Sequence, residues 1–118
     1  MKKTFGKNER LCSLKAINSL FDRKNSANGG AFAYPVRAVF KNSDGPVAQV
    51  LFSVPKKQFK HAVDRNLIRR RMKEAYRLNK NLLTQSYEVA FIYVGKIIED
   101  YAVIEKGMKN CLKKFSGV

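Results

Sequence analysis

Residues 59–80, with the sequence FKHAVDRNLIRRRMKEAYRLNK, place the strongest constraint on how this chain folds. The stretch contains neither Pro nor Gly and is rich in good helix formers, so we predict that it forms the longest helix. Because an α-helix turns about 100° per residue, its cations and one amide gather within an arc of roughly 140°. The members of this arc are Arg65, Asn66, Arg69, Arg70, Lys73, Arg77 and Lys80.

The opposite side of this helix is apolar and is predicted to pack against the rest of the protein. Its members are Leu67, Ile68, Met72, Ala75, Leu78 and Leu82. Arg71 interrupts the apolar side, and we expect its aliphatic stem to reach the edge of that surface. The same helix is therefore predicted to have one buried face and one face of cations.

A charged helix face is ordinarily a solvated surface on which Glu and Lys alternate one turn apart. Here the ten Lys and Arg residues between positions 56 and 80 are balanced only by Asp64 and Glu74. Like charges one turn apart repel each other, and a bound polyanion relieves that repulsion. The formal net charge of the whole chain is +15 at pH 7. The sequence therefore favours a nucleic-acid-binding face over a solvated one, with a basic helix at a membrane surface as another alternative.

The other segments alternate between apolar strands and amphipathic helices. The predicted elements are, in chain order, a helix at 13–21, a strand at 32–41, a strand at 47–54, the long helix, a central strand at 87–94 and a last helix that begins after Asp100. Residues 42–46 have the length of a hairpin turn between the first two strands. This order predicts a single domain, residues 1–118, with an α+β fold in which helices pack on a small mixed sheet.

Catalytic and metal-binding constellations are missing from the sequence. The one histidine, His61, is predicted to be a solvated loop residue. Asp64 and Glu74 are ten residues apart on one helix, too far to converge on a metal ion, and no Gly-rich nucleotide-binding motif is present. We therefore predict no catalytic residue and no metal ligand in this chain, and interpret it as a binding protein.

The compartment is indicated by three features. No apolar run approaches the roughly 20 residues that span a bilayer, and the first residues lack the apolar segment of a signal peptide. Cys12 and Cys111 lie far apart without metal-type spacing, which favours two packed thiols over a disulfide. These features predict a cytoplasmic protein.

Two segments resemble the signature of the bacterial ribonuclease P (RNase P) protein family, namely SVPKK at 53–57 and AVDRNLIRRRMKEAYR at 62–77. The family pattern runs from S-V-S-K-K to A-V-x-R-N-R-I-K-R-x-x-R-E. The residues that match its basic positions and its Asn are Arg65, Asn66, Arg69, Arg70 and Lys73. The chain departs from the pattern in two places. Leu67 stands where the family usually has Arg, and residues 58–61 stand where the family usually has a shorter turn that contains Gly.

The resemblance implies the protein subunit of a ribonucleoprotein endonuclease that removes the 5′ leader from precursor tRNA. Its implied partners are the RNase P RNA subunit, which carries the active site with bound divalent metal (Mg²⁺), and precursor tRNA. No protein partner and no membrane are implied. The implied fold is a two-layer α/β sandwich, ribosomal protein S5 domain 2-like, with a left-handed βαβ crossover that few sheets show.

The resemblance also implies two RNA-binding regions. The helix is expected to contact the RNA subunit through Arg65, Asn66, Arg69, Arg70, Lys73 and Arg77. A cleft between the sheet and the first helix is expected to hold the leader through Ile17, Phe21, Tyr34, Lys56 and Lys57. A ribosomal or other structural RNA-binding protein would share the charge and the fold, but it would not affect tRNA 5′ maturation.

Overall fold

The computed structural model describes residues 29–42, 48–80 and 87–115, and within these ranges it contains four strands and two helices. In chain order the elements are β1 (Gly29–Ala33), β2 (Val36–Asn42), β3 (Gln49–Ser53), α1 (Ala62–Asn79), β4 (Tyr87–Tyr93) and α2 (Tyr101–Phe115). The helix predicted at 13–21, with Ile17 and Phe21, lies outside the described residues. The predicted extent of the domain, residues 1–118, stays a prediction.

The strands form one mixed sheet in the order β1-β2-β4-β3. β4 is antiparallel to β2 and parallel to β3, so it occupies the central position that its apolar sequence predicts. The parallel strands β3 and β4 are connected through α1, which makes a βαβ unit. The predicted α+β class with helices on a small mixed sheet is confirmed, and the hand of this crossover stays a prediction.

The region predicted as one strand, residues 32–41, is instead an antiparallel hairpin of β1 and β2 that turns at Tyr34 and Pro35. Pro35 favours a turn here because its ring fixes φ and removes a backbone donor from the sheet. The predicted hairpin between β2 and β3 is also wrong, because β4 lies between these two strands. β4 has apolar residues on both faces and is better suited to an inner position than β3.

Helix α1 buries part of the side that its sequence predicts, since Leu67 and Leu78 are only partly buried and Leu82 lies outside the described residues. Its buried residues are Ile68, Met72, Ala75 and Tyr76. The ring of Tyr76 lies 5.9 Å from the rings of both Phe52 in β3 and Phe91 in β4. Arg71 reaches the edge of this face, where its Nη1 donates a 2.6 Å hydrogen bond to the backbone carbonyl of Glu99. The expected position of this arginine is thereby confirmed.

Helix α2 packs on the same side of the sheet through residues that follow helical spacing. Its fully buried residues are Ile104, Met108, Cys111 and Leu112. Asp100 immediately precedes the helix, and its carbonyl accepts the amides of Val103 and Ile104. A Cβ atom on Gly107 would lie 2.8 Å from the backbone oxygen of Tyr34. Glycine is therefore what allows α2 to approach the turn between β1 and β2 this closely.

The two faces of the sheet differ in their environment. The face under the helices carries buried residues such as Val36, Ala38 and Val89. On the opposite face, Phe32 pairs with Arg37 and Arg37 pairs with Ile92, so the three lie side by side across three strands. Phe32 is 54% exposed, and Arg37 is also exposed. We call this second surface the open face of the sheet.

Candidate nucleic-acid interface

The predicted cations of α1 lie along its partly or fully exposed side, and they differ in their partners. Asn66, Arg70 and Lys73 are exposed. Arg70 makes no hydrogen bond or ion pair to any residue that the structure describes. Its guanidinium therefore presents its full charge and its planar set of donors at the surface.

Two other cations of this face are bonded along the helix. Arg69 Nη2 donates a 3.0 Å hydrogen bond to Asn66 Oδ1. Arg77 binds both carboxylate oxygens of Glu74, at 3.1 Å from Nε and 2.5 Å from Nη2. This bidentate contact lowers the pKa of Glu74 and raises that of Arg77. The positive charge of Arg77 is thus partly compensated within the protein.

Arg65 has a different environment at the start of α1. Its Nη1 donates to the backbone carbonyls of Phe59 and Lys60, at 2.8 and 2.9 Å. Both carbonyls belong to the segment that leads into the helix. Arg65 therefore connects the first turn of α1 to the chain that precedes it.

That preceding segment, residues 55–60, is called the lysine loop here because Lys56, Lys57 and Lys60 are all exposed on it. The loop begins with a turn in which the Pro55 carbonyl accepts the amides of residues 58 and 59, at 3.2 and 3.1 Å. Phe59 is 7% exposed, and its ring lies 5.7 Å from that of Tyr93. The lysines are therefore carried by a loop that is anchored in the core.

Tyr34 lies at the same end of the sheet as the lysine loop. This follows from the register of the strands. Val36, just after the turn, pairs with Tyr93 at the end of β4, and Ser53, the last residue of β3, pairs with the adjacent Ile92. Tyr34 is 51% exposed, and its hydroxyl donates a 2.6 Å hydrogen bond to Glu99 Oε2. This bond is the main cause that raises the pKa of Tyr34 to about 12. The structure thus brings three predicted leader residues, Tyr34, Lys56 and Lys57, to one end of the sheet.

The open face holds a groove of about 490 Å³ that the sequence interpretation missed. Its lining residues are Gly30, Ala31, Phe32, Arg37 and Val94. The exposed ring of Phe32 can stack on a base, and the guanidinium of Arg37 on the neighbouring strand can bind a phosphate. Tyr34 is not among the residues that line the groove. The pairing of Phe32 with Arg37 becomes visible only once residues 32–41 are read as a hairpin.

Four further predictions concern metal, membrane, the histidine and the thiols. Within residues 29–42, 48–80 and 87–115, no cluster of three or more His, Cys, Asp or Glu side chains is arranged to hold a metal ion. No helix in these ranges has the length and apolarity needed to cross a membrane. His61 is exposed, as predicted, and Cys111 is a buried thiol whose pKa is raised to about 11 chiefly by burial.

Comparison with known proteins gives concordant results. The family model described as Ribonuclease P matches residues 5–116. A ribonuclease P protein component from Porphyromonas gingivalis is 38% identical over 127 residues, covering 97% of this chain and 89% of the relative. One from Caldanaerobacter subterraneus is 32% identical over 108 residues, covering 90% of each chain.

Solved structures of RNase P proteins are similar in fold to this chain. The protein from Thermotoga maritima superposes with a TM-score of 0.76 at 19% identity, over 90% of this chain and 96% of that one. The protein from Staphylococcus aureus gives a TM-score of 0.75 at 16% identity, over 91% and 94% of the two chains. At these identities the structural likeness establishes the fold.

Proposed function

This chain belongs to the ribonuclease P protein family, and on that basis we propose that it is the protein subunit of an endoribonuclease that removes the 5′ leader from precursor tRNA. The observation that carries the proposal is the family match over residues 5–116. The subunit assists a catalytic RNA by binding that RNA and the leader of the substrate. It works as one domain, residues 1–118, in the cytoplasm, where both RNAs are its partners.

The face of α1 is proposed to bind phosphates of the RNA subunit. Arg70 and Lys73 support this role because they are exposed on the same side of the helix. Cations that neutralise phosphates release condensed counterions, and this supplies affinity for folded RNA. Asn66, Arg69 and Arg77 extend the same face. Arg69 and Arg77 also hold neighbouring side chains in place.

The open face and the adjoining end of the sheet are proposed to bind the single-stranded leader. Phe32 and Arg37 support this because they line one groove on neighbouring strands. A stacked ring accepts any base, which suits a leader of variable sequence. The proposed path continues to the end of the sheet where Tyr34, Lys56 and Lys57 lie. Ile17 and Phe21 belong to this proposal through the family resemblance alone.

The chemistry is proposed to lie in the RNA. The described carboxylates, thiol and imidazole form no metal-binding group, so the divalent ions, expected to be Mg²⁺, are proposed to bind phosphates and bases of the RNA subunit. What the protein contributes is positive charge that lowers the need for metal ions when two polyanions are brought together.

The test is reconstitution of the chain with its cognate RNA subunit. Cleavage of precursor tRNA is measured at low magnesium concentration, with and without the protein, and with the protein alone. We expect faster cleavage with both components and none by the protein alone. A ribosomal or other structural RNA-binding protein would leave 5′ maturation unchanged. Metal-dependent cleavage by the protein without RNA, abolished by a point mutation in it, would refute the division of roles.

A further inference from the structure

The contacts of Arg65 indicate that it acts on the loop before the helix. The hydrogen-bond ladder of α1 begins at the carbonyl of His61, which accepts the amides of Asp64 and Arg65. The carbonyls of Phe59 and Lys60 therefore precede the ladder. Arg65 Nη1 donates a hydrogen bond to each of these two carbonyls, at 2.8 and 2.9 Å. One guanidinium nitrogen thus ties two consecutive peptide groups to the first turn of the helix.

Among the residues that the structure describes, no other side chain takes this role at the start of α1. His61 occupies the N-cap position, and its side chain makes no capping hydrogen bond. A capping side chain normally fixes the direction in which the chain enters a helix. Arg65 supplies an equivalent restraint from inside the helix, because its two bonds fix residues 59 and 60 relative to the helix axis.

Other contacts restrain the lysine loop along its length. The turn on Pro55 closes the beginning of the loop, and the buried ring of Phe59 anchors its last part beside Tyr93. Gln58 Nε2 donates a 3.3 Å hydrogen bond to the carbonyl of Lys96, which brings the loop to the segment after β4. These contacts restrain the backbone of the loop, while Lys56, Lys57 and Lys60 remain exposed on it. Cations on a fixed frame bind phosphates at a lower entropic cost.

We propose that Arg65 is a positioning residue for RNA binding. It fixes the lysine loop so that Lys56, Lys57 and Lys60 meet phosphates of the bound RNA, and its effect on affinity passes through these lysines. This differs from the direct phosphate contact that the family resemblance implies for Arg65. The inference rests on the proposed function, because it needs an RNA ligand.

A double-mutant cycle separates the two roles. The affinity of the reconstituted protein for the RNA subunit is measured over a range of salt concentrations for Arg65→Ala alone, for the triple lysine-to-alanine variant of the loop, and for the combination. Arg65→Ala is expected to weaken binding by roughly 5–30-fold alone and less than about twofold in the lysine-free background. An equal loss in both backgrounds would mean that Arg65 contacts RNA independently, and would overturn the proposal.

Arg70→Ala is the matched control, because Arg70 is an exposed arginine of the same helix without a partner in the described ranges. Arg70→Ala is expected to weaken RNA binding by the same factor with and without the loop lysines, since Arg70 lies outside the loop. If Arg70→Ala leaves affinity unchanged in both, the RNA-binding face of the proposed function is wrong. The result for Arg65 still decides the positioning role separately.

Arg65→Lys and amide hydrogen exchange keep the test decisive if Arg65→Ala folds poorly. Lys retains the positive charge, but it lacks the planar guanidinium that makes the observed contact. Arg65→Lys is therefore expected to weaken binding and to speed amide exchange at Gln58 and Phe59, whereas Arg70→Lys changes neither loop amide. Affinity and loop exchange that remain at the level of the unmodified protein in Arg65→Lys would refute the inference.

Discussion

The hydroxyl of Tyr34 donates a 2.6 Å hydrogen bond to a carboxylate oxygen of Glu99. The backbone of Glu99 takes part in two further bonds: its carbonyl accepts Arg71 Nη1 at 2.6 Å and its amide donates to Tyr93 Oη at 3.1 Å. The β1–β2 turn, α1 and β4 are thus connected through the residue that lies two positions before α2. Tyr34 is held at its hydroxyl end while half of its side chain remains exposed.

Replacement of Glu99 by Gln should lower the pKa of Tyr34 from about 12 toward the ordinary value of 10.0. The raised pKa arises mainly because the hydroxyl donates to a carboxylate, and an amide removes that negative charge. Because the folded-state pKa is the higher one, this contact stabilises the fold fully below pH 10 and the contribution is lost as pH rises through about 12. Ultraviolet titration measures the shift.

Tyr34→Phe is the control for that titration, because Tyr101 also has a pKa raised to about 12, in its case chiefly by burial. The difference between spectra with and without the Tyr34 hydroxyl isolates its titration. A Tyr34 component that titrates at the same pH in Glu99→Gln would show that the carboxylate is not the cause.

Removal of the Phe32 ring should weaken binding of precursor tRNA selectively. A stacked base is worth about 1–3 kcal/mol by alanine substitution, so Phe32→Ala should bind the precursor several-fold or more weakly and leave mature tRNA, which has no leader, unaffected. The melting temperature should change little because the side chain is 54% exposed. Affinities of the reconstituted enzyme for both tRNAs are the measurement.

Phe91→Ala provides the contrast, since Phe91 is fully buried. Loss of a core ring of this size costs about 3–5 kcal/mol of stability. Tyr34→Ala, measured beside Phe32→Ala, tests whether the leader path continues to the turn. Equal losses for precursor and mature tRNA would remove the mutated residue from the proposed leader site.

Arg70→Ala and Arg77→Ala should differ in how they change the salt dependence of RNA binding. An exposed arginine that contacts one phosphate contributes about one unit or less to the slope of log affinity against log salt. Arg70→Ala should lower the slope by that amount. Arg77→Ala should lower it by less, because Arg77 already binds Glu74 through two nitrogens. Binding isotherms at several salt concentrations give the slopes, and equal changes for the two variants would contradict this prediction.

Gly107→Ala should destabilise the protein although alanine ordinarily favours a helix by about 1 kcal/mol. The added Cβ would lie 2.8 and 2.9 Å from the backbone oxygens of Tyr34 and Ala33, and 2.9 Å from Pro35 Cδ. We expect a net loss of about 1–3 kcal/mol because backbone atoms yield less than a flexible side chain. Thermal denaturation measures it, and a variant that melts at or above the unmodified protein would refute the clash.

Gly30→Ala is the matched control in the sheet. The nearest atom to its added Cβ would be the backbone oxygen of Ala38 at 3.8 Å, which is ordinary van der Waals contact. The free energy of unfolding should therefore stay within about 0.5 kcal/mol of that of the unmodified protein.

The helices were predictable because their apolar spacing depends only on the geometry of the helix itself. Ile68 and Met72 in α1, and Ile104 and Met108 in α2, are buried where a 3.6-residue period places them. The two-residue turn at Pro35 is harder to detect. It reverses the phase of the alternation, so that even-numbered residues face the helices in β2 and odd-numbered ones do so in β1. β1 has the sequence GGAFA, which contains too few large apolar residues to show that reversal.

The cation face was predictable as an arc, but its division into different roles was not. Helical geometry places Arg65 and Arg70 on one side of α1. Which of them binds a carbonyl depends on where the chain before the helix lies, and that position is set by the burial of Phe59. The inner position of β4 has a local signal in its apolar residues on both faces, but the identity of its neighbours has none, since strand pairing joins residues far apart in the chain.

The central position of β4 also determines when the protein can fold as it is synthesised. Until residues 87–93 have left the ribosome, β3 lacks its neighbour in the sheet, and among the described strands only β1 and β2 can pair. At about 5–20 residues per second, β3 waits about 2–8 s for its partner strand. Once α1 has emerged, and until β4 follows it, Ile68 and Met72 lack the sheet surface that later covers them, while the cations of α1 are already exposed. A nascent chain of this protein therefore presents the cations of α1 before it has a sheet to hold that helix in place.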